Sequence, residues 1–440
     1  MKRFLLIFSL AVTMIAARAQ EVLTLEDCLR LAIHNNISLK MSQNEVAKGK
    51  HGISENRAKL MPQINAIANL NDNIDPPVSV TDGSAYGNLY NVTKTLQYNA
   101  SAGLQLQMPL YNQTVYTAID IAKTMDNLNQ LSYSKAKEDL AIQVAKMYYL
   151  AQNTAEQIEL VRDNISRLEK LRDIAFAFYE NEMVLKVDIQ RVDIKLEDLR
   201  VQHTNAQSML VQQYNMLKYV MDYPADKEIA VTPANAEKTL EAEVKGLDTN
   251  QYELQMVQEK GRLAEKQKKM VKDGYLPTLS LTGNWMYSAF TDKIDNWWHS
   301  GPSNHWYRSN GLGVSLRIPV FDGFDKRSRM RKAQVDVETS KLNYENTLKN
   351  LQTQYLNAVN ELENTRRNYL KQRDNYHLAE DVCNVTNDCY KEGITSMVEV
   401  LQDEMRVSEA QNNYLTAHYN YQLANLTMLK LTKRLDKLVE

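Results

Sequence analysis

The sequence predicts a mainly helical, internally duplicated fold in which long coiled-coil hairpins accompany short membrane-type strands. Three observations predict it. From Leu110 to Tyr223 there is neither a Gly nor a Pro, and from Phe324 to Glu440 Gly393 is the one breaker. Apolar residues inside both stretches recur every seven residues. Segments of apolar–polar alternation precede each stretch, and this whole order occurs twice in the 440 residues.

Ordinary helices average roughly 11 residues and meet a breaker every few turns, so stretches this long are not ordinary helices. In the second stretch Leu348, Tyr355, Leu362, Tyr369, Tyr376 and Cys383 fall every seven residues. Leu351, Ala358 and Ala379 hold the second seam position, with Thr365, Gln372 and Thr386 diluting it. In the first stretch Leu140, Val144, Met147, Ala151, Ile158, Val161, Ile165 and Leu168 keep the same three–four alternation. A seven-residue repeat holds a seam against a partner helix. Turn signals at Tyr179-Glu180-Asn181-Glu182 and Tyr390-Lys391-Glu392-Gly393 divide each stretch, so a hairpin fits better than one isolated filament. The first arms, about Gln113 to Phe178 and Lys326 to Cys389, would each be roughly 100 Å long at 1.5 Å per residue.

The strand-like segments come before the hairpins. Tyr98, Ala100, Ala102, Leu104, Leu106 and Met108 alternate with Asn99, Ser101, Gly103, Gln105 and Gln107. Leu312, Val314, Leu316 and Ile318 alternate with Gly311, Gly313, Ser315 and Arg317, and segments from Ile64 and from Leu279 repeat the theme more weakly. Such alternation suits a tilted transmembrane strand with its apolar side to lipid. A half-buried soluble sheet gives the same pattern. Turn-rich links, Asp75–Leu89 and Thr291–Asn310, join the strands of each pair; the second contains Trp297, Trp298 and Trp306, as an interfacial loop does. Four membrane strands cannot close a barrel alone, since the narrowest need about eight. Membrane strands therefore require an oligomer that pools them.

Lys2-Arg3, the apolar run Phe4–Ile15 and Ala17-Arg18-Ala19 have the order of a cleaved signal peptide over residues 1–19. Removing Lys2, Arg3 and Arg18 takes the formal charge from −2 to −5. With no basic cluster carrying interleaved aromatics, a nucleic-acid partner is not expected. Mean hydropathy is −0.48, so the chain is not a bundle of transmembrane helices. Cys28, Cys383 and Cys389 are sparse and odd in number, and the last two fall on different faces of a helix, so no disulfide framework is expected.

The repeat is read from matched segments. Leu60-Met61-Pro62 corresponds to Tyr275-Leu276-Pro277, the run Gly103–Tyr111 to Gly313–Phe321, and Tyr179–Ile189 to Tyr390–Val400. The expected organisation is a first repeat over 20–222, with a strand pair at about 62–109 and a hairpin at about 112–221. A mixed connector occupies 223–247. A second repeat covers 248–440, with strands at about 276–319 and a hairpin at about 324–434.

Together these residues resemble the bacterial outer membrane efflux protein family, the TolC-like ducts. The opening Leu23-Thr24-Leu25-Glu26-Asp27-Cys28-Leu29 is similar to the family's N-terminal helix, and Pro319-Val320-Phe321-Asp322-Gly323 is similarly typical. Tyr390-x-x-Gly393-x-x-Ser396-x-Val398-Glu399-Val400-Leu401 resembles its second hairpin turn, and the likeness spans essentially the mature chain. The resemblance implies a homotrimer with a shared twelve-strand β-barrel set in outer-membrane lipid and a trimeric α-barrel in the periplasm. It also implies a periplasmic adaptor protein and an inner-membrane transporter as partners. Carried over by position, Asp188 and Glu399 match the acidic residues after the two turns and, with Gln402, form the implied pore gate. Asn181, Glu182, Met183 and Val184, with Glu392, Gly393, Ile394, Thr395 and Ser396, form the implied adaptor-docking tips. Carboxylate rings favour cations and can raise one another's pKa. Solvated hairpin-end charges are the plainer reading of Asp188 and Glu399. Thr395 stands where some members have a basic residue, and Gln402 where they have a second acid. Glu182 stands where a glycine is expected, which predicts a first tip of different shape.

No catalytic, metal or cofactor site is read. His299 and His305 lack accompanying ligands, and no H-E-x-x-H, glycine-rich phosphate loop or G-x-S-x-G occurs. The expected function is an exit duct passing small molecules. An exit duct for secreted polypeptides and a poreless periplasmic coiled-coil scaffold are the alternatives.

Overall fold

The protein is described by a computed structural model covering residues 21–82, 87, 89–233, 242, 244, 246–297 and 306–435. The expected signal peptide (1–19), most of the connector between 234 and 245, and Trp298, His299 and His305 of the second link lie outside the described residues. Two units emerge from the contacts, one of residues 1–45, 130–257 and 344–440, the other of 46–129 and 258–343. Four long helices dominate: α3 (Gln113–Glu180), α4 (Lys186–Met221), α6 (Asp325–Lys391) and α7 (Met397–Leu431). None of the described helices is long and apolar enough to cross a membrane.

In the first unit, β1 (Glu21–Leu23) leads into α1 (Leu25–Asn35). Thr24 and Asp27 form a reciprocal capping box that fixes the start of α1. Strand β1 pairs in parallel with β6 (Ile229–Val231), so the connector contributes a strand the sequence did not advertise. Around them Cys28, Leu29, Val144, Tyr148, Leu217 and Met221 form one core in which every side chain is essentially sealed from solvent. Each such aliphatic or aromatic burial contributes on the order of 1.5–3 kcal/mol.

Side-chain bonds give the lateral order of the helices. Arg172 of α3 bonds Asp193 of α4, while Asn153 and Asn164 of α3 bond Leu415 and Gln411 of α7. Thr386 of α6 bonds Asp403 of α7. The layer therefore runs α4–α3–α7–α6. The expected seams lie inside it: Leu140, Val144, Ala151, Val161 and Leu168 on α3 are buried, as are Leu351, Ala358, Leu362 and Cys383 on α6. Tyr369 closes the α6–α7 seam by stacking on Tyr421, with ring centroids 5.6 Å apart and planes 9° apart.

In the second unit, α2 (Ile37–Ala58) is followed by β2 (Gln63–Asp72), β3 (Val78–Asp82), β4 (Tyr90–Lys94) and β5 (Tyr98–Tyr111). After α5 (Tyr252–Asp273) come β7 (Thr278–Thr291) and β8 (Trp306–Arg317). The main sheet is fully antiparallel in the order β2-β5-β7-β8, which sets the strand pair of the first half beside that of the second. The first link is not only turns, because β3 and β4 pair as a separate hairpin. In the second link, Ile294–Trp297 forms a 3₁₀ turn.

The register sorts the sheet into two faces. Ile64 lies opposite Leu106, Leu106 opposite Gly283, and Gly283 opposite Leu312. Ala66, Leu104, Trp285 and Asn310 form the next row of that face. On the reverse face Asn65, Gln105, Asn284 and Gly311 share a row. The apolar face is open: Ile64, Leu312, Val314 and Leu316 are all more than half exposed. Gly103 is required by close approach, because a Cβ there would strike the Trp285 carbonyl and the Met286 Cα.

Candidate functional site

The two hairpin turns are the candidate site in the first unit, and they are built alike. In the first, Glu182 N donates to Tyr179 O and Met183 N to Phe178 O, both at 2.9 Å. In the second, Gly393 N donates to Tyr390 O and Ile394 N to Cys389 O, again both at 2.9 Å. This is the Schellman pattern, which needs a left-handed residue to end the helix. Glu182 supplies it with φ +58° and Gly393 with φ +72°. The expectation of a differently shaped first tip is thus corrected: tertiary packing holds a glutamate where glycine is the easier choice.

That packing is visible. Val161, Leu168, Leu171 and Ala175 of α3, Val192, Leu196 and Leu199 of α4, and Tyr390, Met397 and Val400 form one core. Phe178 and Tyr390, one from each turn, meet with ring centroids 5.7 Å apart. The structure therefore brings the two tips together. Between them Met183 and Ile394 stay mostly in solvent.

The acidic residues sit in the first turn of each following helix. Asp188 accepts from Arg191 at 2.9 Å. Burial first, and the Asp188 charge second, push the Tyr390 phenol above its ordinary range. Glu399 completes a capping box: its backbone N–H donates to Ser396 Oγ at 3.4 Å, while its carboxylate accepts from Ser396 N at 3.3 Å and from Thr395 Oγ1. The Thr395 hydroxyl, then the Ser396 amide, hold the Glu399 carboxyl below its ordinary value. Within one chain no hydrogen bond or ion pair joins Asp188 to Glu399 among the described residues, and Gln402 is exposed one turn further on.

Sequence reasoning missed a buried polar cluster behind the second turn. Glu404, with only 3% of its side chain exposed, pairs with Arg167 at 3.3 Å. Arg167 also donates to Asn164 at 2.6 Å, Asn164 to Gln411 at 2.7 Å, and Asn387 to Glu404 at 3.3 Å. Burial works against the Arg167 charge, but the adjacent Glu404 outweighs it and raises the guanidinium, which stays charged. Burial, reinforced by the Glu404 charge, pushes the Cys383 thiol up to about 12, which leaves it unreactive. The available signal was spacing: Val400, Asp403, Glu404, Val407 and Gln411 keep the three–four step of a buried seam.

The model of the outer membrane efflux protein family matches residues 28–221 and 247–432. TolC of Vibrio cholerae is 20% identical over 386 residues, covering 86% of this chain and 83% of its own length. TolC of Escherichia coli is 20% identical over 404 residues, covering 90% and 79%. Among solved structures, a membrane protein from Pseudomonas aeruginosa superposes with a TM-score of 0.75 at 18% identity, covering 93% of this chain and 90% of that one. VceC of Vibrio cholerae does so with 0.72 at 15% identity, covering 93% and 96%. With the family model matching most of both halves, the chain belongs to the outer membrane efflux protein family.

Proposed function

We propose that this outer-membrane channel protein is the exit duct of a multicomponent efflux system. Three copies pool four strands each into one closed twelve-strand barrel, with the helices as the periplasmic part. Small molecules handed over by an inner-membrane transporter and its periplasmic adaptor pass through it without energy from the duct. The two repeats, 20–222 and 248–440, joined at 223–247, each supply one strand pair and one hairpin. Residues 181–184 and 392–396 receive the adaptor, and Asp188, Glu399 and Gln402 restrict the pore.

The single observation that supports this reading most is the sheet. One face is apolar and open, and β2 and β8 are edge strands in the described chain. In hydrocarbon each unpaired backbone group costs several kcal/mol. Like-oriented copies of the same four strands, with β8 of one pairing antiparallel to β2 of the next, are the simplest way to satisfy both edges, and closure then abolishes edges altogether. A poreless scaffold has no use for such a face.

The test is oligomeric state together with conductance. Detergent-extracted protein is expected to run as a heat-modifiable trimer and to form channels in planar bilayers. The double substitution Asp188→Ala with Glu399→Ala is expected to raise single-channel conductance several-fold and to weaken cation preference. A soluble periplasmic monomer would overturn the duct. Unchanged conductance and selectivity would overturn the acidic gate alone.

A further inference from the structure

We infer that Arg308 binds the phosphate of an anionic membrane-lipid headgroup at the loop end of the sheet. The inference rests on the reading of the apolar sheet face as the lipid-facing one. Strand register puts Arg308 on that face, directly opposite Tyr287. From the helix-connected end, the β8 positions on this face read Leu316, Val314, Leu312, Asn310, Arg308 and Trp306. Three aliphatic positions thus give way to an amide, a cation and an indole.

Depth along the strand says what surrounds the cation. Eight residues separate Leu316 from Arg308, roughly 27 Å at 3.4 Å per residue, or about 20 Å along the membrane normal at a strand tilt of ~40°. The apolar band of an outer-membrane barrel is about 25 Å tall and is bordered by aromatic girdles. With Leu316 near one border, Arg308 falls within about 5 Å of the other, within reach of its headgroups for a long side chain. The girdle is present there: Trp285, Tyr287 and Trp306 are all substantially exposed on this face, and the first two rings lie 6.0 Å apart, edge to face. Aromatic rings of this kind settle at headgroup level.

Arg308 is exposed, and no carboxylate pairs with it among the described residues. A guanidinium bordering hydrocarbon needs acceptors for its five N–H donors, and water reaches it from one side only. A phosphate presents oxygens that match the planar fork two at a time. The strands join the periplasmic helices at the opposite end, so the headgroup belongs to the outer leaflet. Among the described residues, Asp72 is the one carboxylate the sheet offers on this face. It lies on the opposite edge strand, opposite Tyr98, and already accepts from Gln97 at 3.0 Å.

The test counts lipid held by the purified oligomer. Wild type, Arg308→Gln, Arg308→Lys and Arg317→Gln, the last on the polar face, are placed in nanodiscs of equal phosphatidylcholine and phosphatidic acid. Retained lipid is then read by native mass spectrometry. Arg308→Gln is expected to keep at least threefold less phosphatidic acid per chain, Arg308→Lys an intermediate amount, and Arg317→Gln the wild-type amount. Equal retention by wild type and Arg308→Gln overturns the site, and so does an equal loss in Arg317→Gln. If a neighbouring copy's Asp72 occupies Arg308 instead, Asp72→Asn raises retention above wild type, which also overturns it. A wild-type chain that never enters nanodiscs overturns the lipid-facing reading itself, an outcome distinct from entry without selective retention.

Discussion

At the first hairpin turn Glu182 adopts φ +58°, and Leu185, which begins α4, makes no side-chain cap. At the second, Gly393 adopts φ +72°, and Ser396 with Glu399 caps α7 reciprocally. The backbones are alike, yet only the second is specified locally. A second contrast separates the contact within the first hairpin from the contact that joins the two hairpins. The α3–α4 contact is bridged by Arg172–Asp193, with side chains 43% and 45% exposed. The α3–α7 contact is bridged by Arg167–Glu404, with side chains 24% and 3% exposed. Both turns rest on the shared core, and the second also carries its own cap. In the proposed duct, the second hairpin is therefore the element whose position the sequence defines most tightly.

The largest expected effect breaks the helix-pair contrast. Removing one partner of a fully buried ion pair costs about 3–5 kcal/mol, because the other charge is left buried. Arg167 keeps about a quarter of its side chain in water, so Glu404→Ala is expected to cost about 2–3 kcal/mol. Arg172→Ala is expected to cost far less, because both partners of that pair are open to water. Urea unfolding of the detergent-solubilised protein, followed by far-ultraviolet circular dichroism, measures both. Equal losses would show that burial does not distinguish the two contacts.

A smaller effect comes from exchanging the turn residues. A non-glycine residue in the left-handed region costs roughly 1–2 kcal/mol relative to its right-handed state, and glycine avoids that cost. Glu182→Gly is therefore expected to stabilise the first turn by about 0.5–1 kcal/mol, and Gly393→Glu to destabilise the second by a similar amount or more. Opposite shifts in the protease resistance of the two turns would support the comparison. A loss at both would mean that the Glu182 side chain contributes something glycine cannot.

These turns also mark how far the sequence could be read. Absence of Gly and Pro exposes long helices because any breaker would interrupt them, and heptad spacing exposes seams because buried positions must recur on one face. The turn positions were legible for the same reason. The Glu182 conformation was not, since tertiary packing outweighs a preference of about 1 kcal/mol. Strands β1 and β6 are three residues each and separated by about two hundred in sequence, too short for any period to register. The hairpin β3–β4 was hidden because the turn signals Asp75-Pro76-Pro77 before it and Asp82-Gly83 within it dominate its five-residue strands. Nothing in the sequence singles out Arg167 and Glu404 as partners, because a buried charge is rare unless paired and their pairing spans 237 residues. The acidic residues after the turns were found through resemblance, and their geometry was not predictable: Glu399 is tied to its own cap.

That tie gives the smallest and most diagnostic effect. Glu399 has its carboxyl held below the ordinary value of 4.5 by the Thr395 hydroxyl and the Ser396 amide. A group depressed by folding adds stability that is fully present above its unfolded value and is lost as pH falls through the folded one. The second turn should therefore loosen only below about pH 4.5. Hydrogen exchange of amides 396–400, corrected for intrinsic rates, is expected to rise over that window in wild type and to show no such step in Glu399→Gln. The first turn has no comparable cap, so amides 185–189 should change less. The outcome also separates two roles for Glu399 in the trimer. If neighbouring copies bring their carboxylates together at the pore axis, mutual repulsion opposes the cap and moves the step to higher pH. A step that stays below pH 4.5 in the assembled trimer would mean that Glu399 secures its own helix and leaves the pore axis to other groups.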